Sequence, residues 1–171
     1  MLDTAYSFDL IRLEDDQGAI AALELRPAAA EDAGFAYDVK KRALGPYIEQ
    51  VWGWREAEQL SYHRREYKAE LISIITLAGT DIGTVSVTSD GSRVLLCMLY
   101  ILPEDQRQGI GTHIVRSVQA QAQRDHLPVL LGVLKVNPAK QLYRRLGFVE
   151  VEETETHVKM QWNPATMSAA L

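Results

Sequence analysis

The stretch from Arg93 to Val136 restricts the fold more than any other. It opens with "RVLLCMLYIL", an apolar run that stops at Pro103 as a strand does. Past "QRQGIG", the apolar positions Ile110, Ile114, Val115, Val118 and Ala122 fall at helical spacing. "VLLGVLKV" then supplies a second, nearly all-apolar strand, the kind buried on both faces. A strand, a long helix and a strand in succession require a right-handed crossover between parallel neighbours. The rest of the chain has to be arranged around that parallel pair.

The remaining elements read as antiparallel strands and helices. "AIAALELRPA" is a strand ending at Pro27, preceded by a polar segment. "AAEDAGFAYDVKKRALGPYIEQ" begins with acidic residues suited to a helix N-terminus, carries Phe35, Val39 and Leu44 on one stripe, and is interrupted by Gly45-Pro46. "WREAEQLSYHRREYKAE" is a second, strongly polar helix. "LISIITLAG" and "IGTVSVTSD" flank a short turn and form a hairpin, and Ser89-Asp90-Gly91-Ser92 leads into the central run. "PAKQLYRRLGF" is a short helix with Pro138 near its start and Gly147 at its end, and "FVEVEETETHVKMQW" closes with two strands. The order is β-α-α-β-β-β-α-β-α-β-β, an α/β domain around a mixed sheet.

Two glycines at a strand-to-helix junction bring a backbone close to something. A dinucleotide fingerprint needs a third glycine where Ile114 stands, and a carboxylate after the next strand, which "VLLGVLKV" does not provide. A triphosphate loop needs Lys-Ser or Lys-Thr after the glycine, and neither follows. The general physics still applies: free amides at a helix N-terminus and the helix dipole favour an anion. Gln106, Arg107 and Gln108 add donors and one positive charge. A plain strand-helix turn is the alternative.

With 171 residues the chain fits one domain with a sizeable core. A net charge of -5 gives no basic surface for nucleic acid. No apolar run is long enough for a membrane span, and the acidic start is not a secretory signal, so a cytoplasmic location is expected. The single cysteine, Cys97, excludes an intramolecular disulfide, and its apolar neighbours suggest a buried structural thiol. No His or carboxylate cluster has metal-ligand spacing, so no metal is expected, and His113 and His126 read as structural residues of the long helix.

"ILPEDQRQGIGTHIV" resembles the acetyl-CoA pyrophosphate motif of the GNAT N-acetyltransferase superfamily, Gln/Arg-x-x-Gly-x-Gly/Ala. "VNPAKQLYRRLGFVEVEE" resembles the second signature of that superfamily, and the element order agrees. The resemblance implies an N-terminal extension over 1–19, a GNAT domain over 20–163 and a tail over 164–171. It implies a mixed, mostly antiparallel sheet with a central splayed parallel pair flanked by helices. Acetyl-CoA would insert its pantetheine arm along the backbone of Leu99, Tyr100 and Ile101. Gln106 and the amides of Arg107, Gln108, Gly109, Ile110, Gly111 and Thr112 would hold its pyrophosphate, with Asn137 and Ala139 on the far side.

The activity implied is direct attack of a neutral primary amine, on a small molecule or a peptide, at the thioester carbonyl. Tyr143 matches the position that protonates the departing thiolate. The sequence departs from the common pattern in two places. One residue fewer separates Asn137 from Tyr143 than in many members, and "LLCMLYI" lacks the strand glutamate that serves as base. Glu49, Glu104 and His157 are the candidate bases, or the amine arrives neutral. The missing glutamate also motivates a second reading, a non-catalytic acyl-CoA-binding module. The resemblance places the acceptor rim at "GPYIEQVWGWREAEQ", so Tyr47, Glu49, Trp52 and Trp54, with His157, are the candidate acceptor residues. The same aromatics read equally as a core anchor or a homodimer surface.

Overall fold

The structure, a computed structural model, describes residues 3–12 and 22–166. Strand β1 is Thr4–Ala5 and β2 is Leu23–Pro27. Helices α1 (Ala33–Ala43), α2 (Gly45–Trp52) and α3 (Glu56–Glu66) follow. Next come β3 (Ser73–Leu77), β4 (Thr80–Ser89) and β5 (Val94–Ile101). The long helix α4 (Ile110–Asp125), β6 (Val129–Leu134), α5 (Ala139–Arg145), β7 (Val149–Glu153) and β8 (His157–Trp162) complete the chain. Gly45-Pro46 divides the first expected helix in two, as Pro at the start of a helix allows.

The expected extension is described only over residues 3–12, and its boundary with the domain lies outside the described residues. Within that part, β1 pairs antiparallel with the end of β4, Thr4 opposite Ser89, and the Tyr6 amide donates to the Val87 carbonyl at 2.8 Å. The polar composition of this segment concealed the short strand.

The sheet runs β2-β3-β4-β5-β6-β8-β7, with β1 beside β4. Every neighbouring pair is antiparallel except β5 and β6. The crossover helix α4 buries Ile110, Ile114, Val115, Val118 and Ala122 against Val94 and Leu96 of β5 and Val129 and Leu131 of β6. Apolar burial of this kind is the main force holding the crossover to the sheet. Helix α1 contacts β4 and β5, with Ala36 and Val39 buried.

Two features shape β5. Its register against β4 shifts between Ser86 opposite Met98 and Val87 opposite Leu96, so Cys97 is the extra residue of a β-bulge. Cys97 is exposed, contrary to the buried thiol expected from its apolar neighbours. The bulge takes it out of the alternation that buries Val94 and Leu96. At the far end, Gly83 of β4 lies opposite Ile101, and a Cβ there would stand 2.3 Å from the Tyr100 carbonyl oxygen. Only glycine permits that approach.

The parallel pair is short. β5 and β6 pair at Val94 with Val129 and at Leu95 with Leu130, and then separate. The expectation that β6 is buried on both faces fails in its middle, because Gly132 is exposed where the neighbouring strand has moved away.

Gly83→Ala is expected to destabilise the fold by about 2 kcal/mol through overpacking. Thermal unfolding should register this as a fall in Tm of roughly 4–8 °C.

Candidate functional site

Where β5 and β6 separate, a cleft of about 870 Å³ opens between them. Leu99, Tyr100 and Ile101 line it from β5, and Leu131, Gly132 and Val133 from β6. The edge of β5 that faces β6 has no strand partner beyond Leu95 among the described residues. Its amides and carbonyls are open to an extended ligand.

The loop before α4 closes one end. Pro103–Asp105 forms one 3-10 turn, and the Gln106 side-chain amide donates to the Ile101 carbonyl at 2.8 Å, tying the loop to the end of β5. Gln106 therefore anchors the loop at the cleft wall. Arg107 has φ of 61° and Gly109 has φ of 80°, two left-handed residues that turn the chain into the helix. The first helical bond runs from the His113 amide to the Gly109 carbonyl, so the amides of Ile110, Gly111 and Thr112 have no acceptor within the helix. All three residues line the cleft, as do Gln106, Arg107 and Gly109, whereas Gln108 stands outside its lining.

The two glycines of the motif do different work. Gly109 supplies the left-handed conformation at the N-cap. A Cβ on Gly111 would point at Leu142 (3.5 Å) and Ile101 (3.8 Å), both in ordinary contact distance. The packing of α4 on α5 and β5 thus has room for a Cβ at Gly111.

Helix α5 forms the far wall with Ala139, Leu142 and Tyr143. The Asn137 side-chain oxygen accepts from the Ala139 amide at 2.9 Å and holds the start of α5, with both residues on the cleft. Tyr143 is 8% exposed, packs edge-on against Phe148, and burial pushes its phenol well above the ordinary range. Burial likewise pushes Tyr100 up to about 12.

Tyr47 of α2 and His157 of β8 also line the cleft. His157 shares a hydrogen bond between its Nδ1 and the Thr156 hydroxyl (2.9 Å), and its ring lies 5.8 Å from that of Trp52. Trp52, 53% exposed, stands outside the cleft lining and reaches it only through His157. Glu49 and Trp54 stand outside the cleft lining. The Glu49 carboxylate accepts from the Trp54 amide at 2.5 Å, and the Trp54 indole donates to Glu56 at 2.7 Å. Gly45 leaves room for that indole, which a Cβ would touch at 3.4 Å. Glu104 forms an ion pair with Arg42 at 2.6 Å. His113 is buried in α4 and His126 caps the C-terminus of the same helix in a left-handed conformation.

Sequence reasoning missed Cys97, Gly132, Asp105 and Arg145 on the lining. Gly132 carried a signal, since a glycine inside an apolar strand marks close approach by another backbone or a ligand. The others carried none. Asp105 is the one carboxylate among the residues that line the cleft. Among the described residues there is no metal-ligand cluster, and no helix is long and apolar enough to cross a membrane.

Residues 68–150 match the sequence model of the acetyltransferase (GNAT) domain. No curated protein matches the chain at a significant level. The fold is similar to that of the PaiA N-acetyltransferase from Thermoplasma acidophilum, crystallised with coenzyme A. That match has 19% identity and a TM-score of 0.67, over 82% of this chain and 98% of the other. It is also similar to the ribosomal-protein-S18-alanine N-acetyltransferase from Escherichia coli, with 18% identity and a TM-score of 0.62, over 87% and 98% of the two chains. Arabidopsis thaliana Naa50, crystallised with the bisubstrate analogue CoA-Ac-MVNAL, has 12% identity and a TM-score of 0.57, over 83% and 99%.

Substitution of the two glycines should separate their roles. Gly109→Ala places a side chain in the left-handed region at a cost of about 1–2 kcal/mol, which thermal unfolding should show as a drop of roughly 2–8 °C. Gly111→Ala, in open contact and within a helix, should leave Tm unchanged or raise it slightly.

Proposed function

We propose that this chain, which carries a GNAT acetyltransferase domain, is an acetyl-CoA-dependent N-acetyltransferase. Its acceptor is the primary amine of a small molecule or peptide, and transfer is by direct attack. The observation that carries this reading is the parting of β5 and β6 after Leu95 and Leu130, with the free first-turn amides of α4 at the mouth of the opening. The residues present suit the cofactor. The open edge of β5 would pair with the pantetheine amides as an added strand. Ile110, Gly111 and Thr112 offer amides to the pyrophosphate, and Arg107 offers a cation.

When bound, acetyl-CoA supplies the activated acyl group as a thioester. The chain supplies position and proton control. Tyr143 lies in the cleft wall with its phenol raised by burial, so the hydroxyl keeps its proton through the alkaline range. It serves as donor to the leaving sulfur. On the acceptor side, His157 and Thr156 share a hydrogen bond at Nδ1, and in the tautomer where Nδ1–H donates, Nε2 is the nitrogen that can take a proton. Tyr47 on the lining, and Trp52 beside His157, supply aromatic surface suited to positioning an amine.

A second reading, a non-catalytic acyl-CoA-binding module, is favoured by one observation: no carboxylate of β5 or β6 lines the cleft. Mixing the protein with acetyl-CoA and a panel of amines, with thiol release as the readout, separates the two. Turnover supports the transferase. Tight CoA binding with no turnover on any amine supports the module, and absence of CoA binding removes both.

Tyr143→Phe should lower kcat by roughly 100-fold, the range of one general acid, with CoA affinity nearly intact. The alkaline limb of the pH–rate profile should keep its shape, because the raised Tyr143 phenol does not titrate there. Loss of CoA binding in this variant would make Tyr143 a packing residue.

A further inference from the structure

A second concavity, about 770 Å³, lies between α1 and α3. It holds Lys40, Trp52, Tyr62 and Arg65. The Lys40 ammonium stands 5.0 Å from the centre of the Tyr62 ring, and the Arg65 guanidinium stands 5.4 Å from it. Both rings of the groove are open to solvent, Trp52 at 53% and Tyr62 at 51%.

Among the described residues, Lys40 is the one charged residue lining this groove that has no ionic partner. Glu58 pairs with Arg55 at 3.1 Å, and Arg65 pairs through Nε with Glu66 at 2.9 Å. On α1, Lys41 pairs with Glu56 at 2.9 Å, and Asp38 faces Arg42 at 3.9 Å. Lys40 has the neutral Gln59 side-chain oxygen at 3.3 Å and the Tyr62 ring at 5.0 Å, and among the described residues no carboxylate lies within ion-pair distance of it. Half-buried, its ammonium is held below the ordinary range by desolvation. A cation withdrawn from water with no counter-ion is an incomplete site, and an anion would complete it.

The groove adjoins the cleft through one pair of rings. Trp52 lines the groove, and its ring lies 5.8 Å from that of His157, tilted by 36°, while His157 lines the cleft. A molecule with its amine beside His157 could therefore run past Trp52 and lie over Tyr62.

We propose that the acceptor is an anionic amine: a primary amine whose far end carries a carboxylate or phosphate held by Lys40, its body resting on Tyr62 and Trp52. This rests on the transferase reading above. Recognition is local, because the chain as a whole carries a net charge of -5 and would not draw anions in from solution.

The test is a matched series of aminoalkyl and aminobenzyl compounds ending in methyl, carboxylate, phosphate or ammonium, assayed by thiol release with the full chain. The carboxylate or phosphate member should have a kcat/KM roughly tenfold or more above its methyl counterpart, the ratio expected for one charge-assisted hydrogen bond. Whichever anion is preferred names the source. Lys40→Met should collapse that ratio towards one, and Lys40→Arg should restore it. Equal or better turnover of the methyl and ammonium members overturns the inference and leaves the transferase reading standing. So does a Lys40→Met variant that slows every member equally. No acetylation of any amine in the presence of bound CoA overturns the transferase reading and this inference with it.

Discussion

Everything in the cleft depends on the place where β5 and β6 stop pairing. Val94 and Val129 are fully buried and opposite one another, so the base of the pair is fixed by packing against α4. One residue further on, pairing ends. A parallel strand that loses its neighbour inside a sheet leaves a row of polar backbone groups with no partner, which a fold ordinarily avoids. This chain sustains the opening by holding β5 tightly to the other side. Gly83 lets the end of β5 press against β4, the bulge at Cys97 resets its register, and Gln106 ties the following loop to Ile101. The gap is thus maintained from β4 and from the loop.

How much of this was legible depends on range. The parallel pair followed from one local fact, a long amphipathic helix between two apolar strands, and the strand order of the β3–β4 hairpin followed from its turn. Separation of the pair is a matter of register, which composition does not encode. "VLLGVLKV" has the same residues whether both its neighbours stay or one leaves; the splay was expected only through the resemblance, and Gly132 is its one local sign. Cys97 was misread for the same reason: an apolar run shows alternation, and a bulge breaks alternation without changing the residues. Glu49 and Trp54 are expected acceptor residues by type and by their place in the resemblance. Short-range hydrogen bonds between Glu49 and the Trp54 amide, and between the Trp54 indole and Glu56, hold them at the bend between α2 and α3, outside the cleft lining. The glycine pair was legible as a motif, but its physics was only half legible. Gly109 answers to a backbone angle, whereas Gly111 has room for a Cβ, a distinction that needs the neighbours Leu142 and Ile101 in view.

The distribution of charge in the cleft bears on the chemistry proposed for it. Among the residues that line it, Asp105 is the one carboxylate, and it belongs to the loop that leads into α4. An ammonium group entering beside Tyr47 and His157 would meet mostly aromatic and apolar surface, with no carboxylate from β5 or β6. Desolvation without an opposite charge favours the neutral form of an amine. On the proposed reading, the missing strand carboxylate is therefore not a defect of the site. A carboxylate there would stabilise the protonated, unreactive amine as well as accept its proton. Burial of the amine performs the same deprotonation from the other direction, with His157 or water taking the proton, while the raised phenol of Tyr143 keeps its proton and offers it as a hydrogen bond to the departing sulfur.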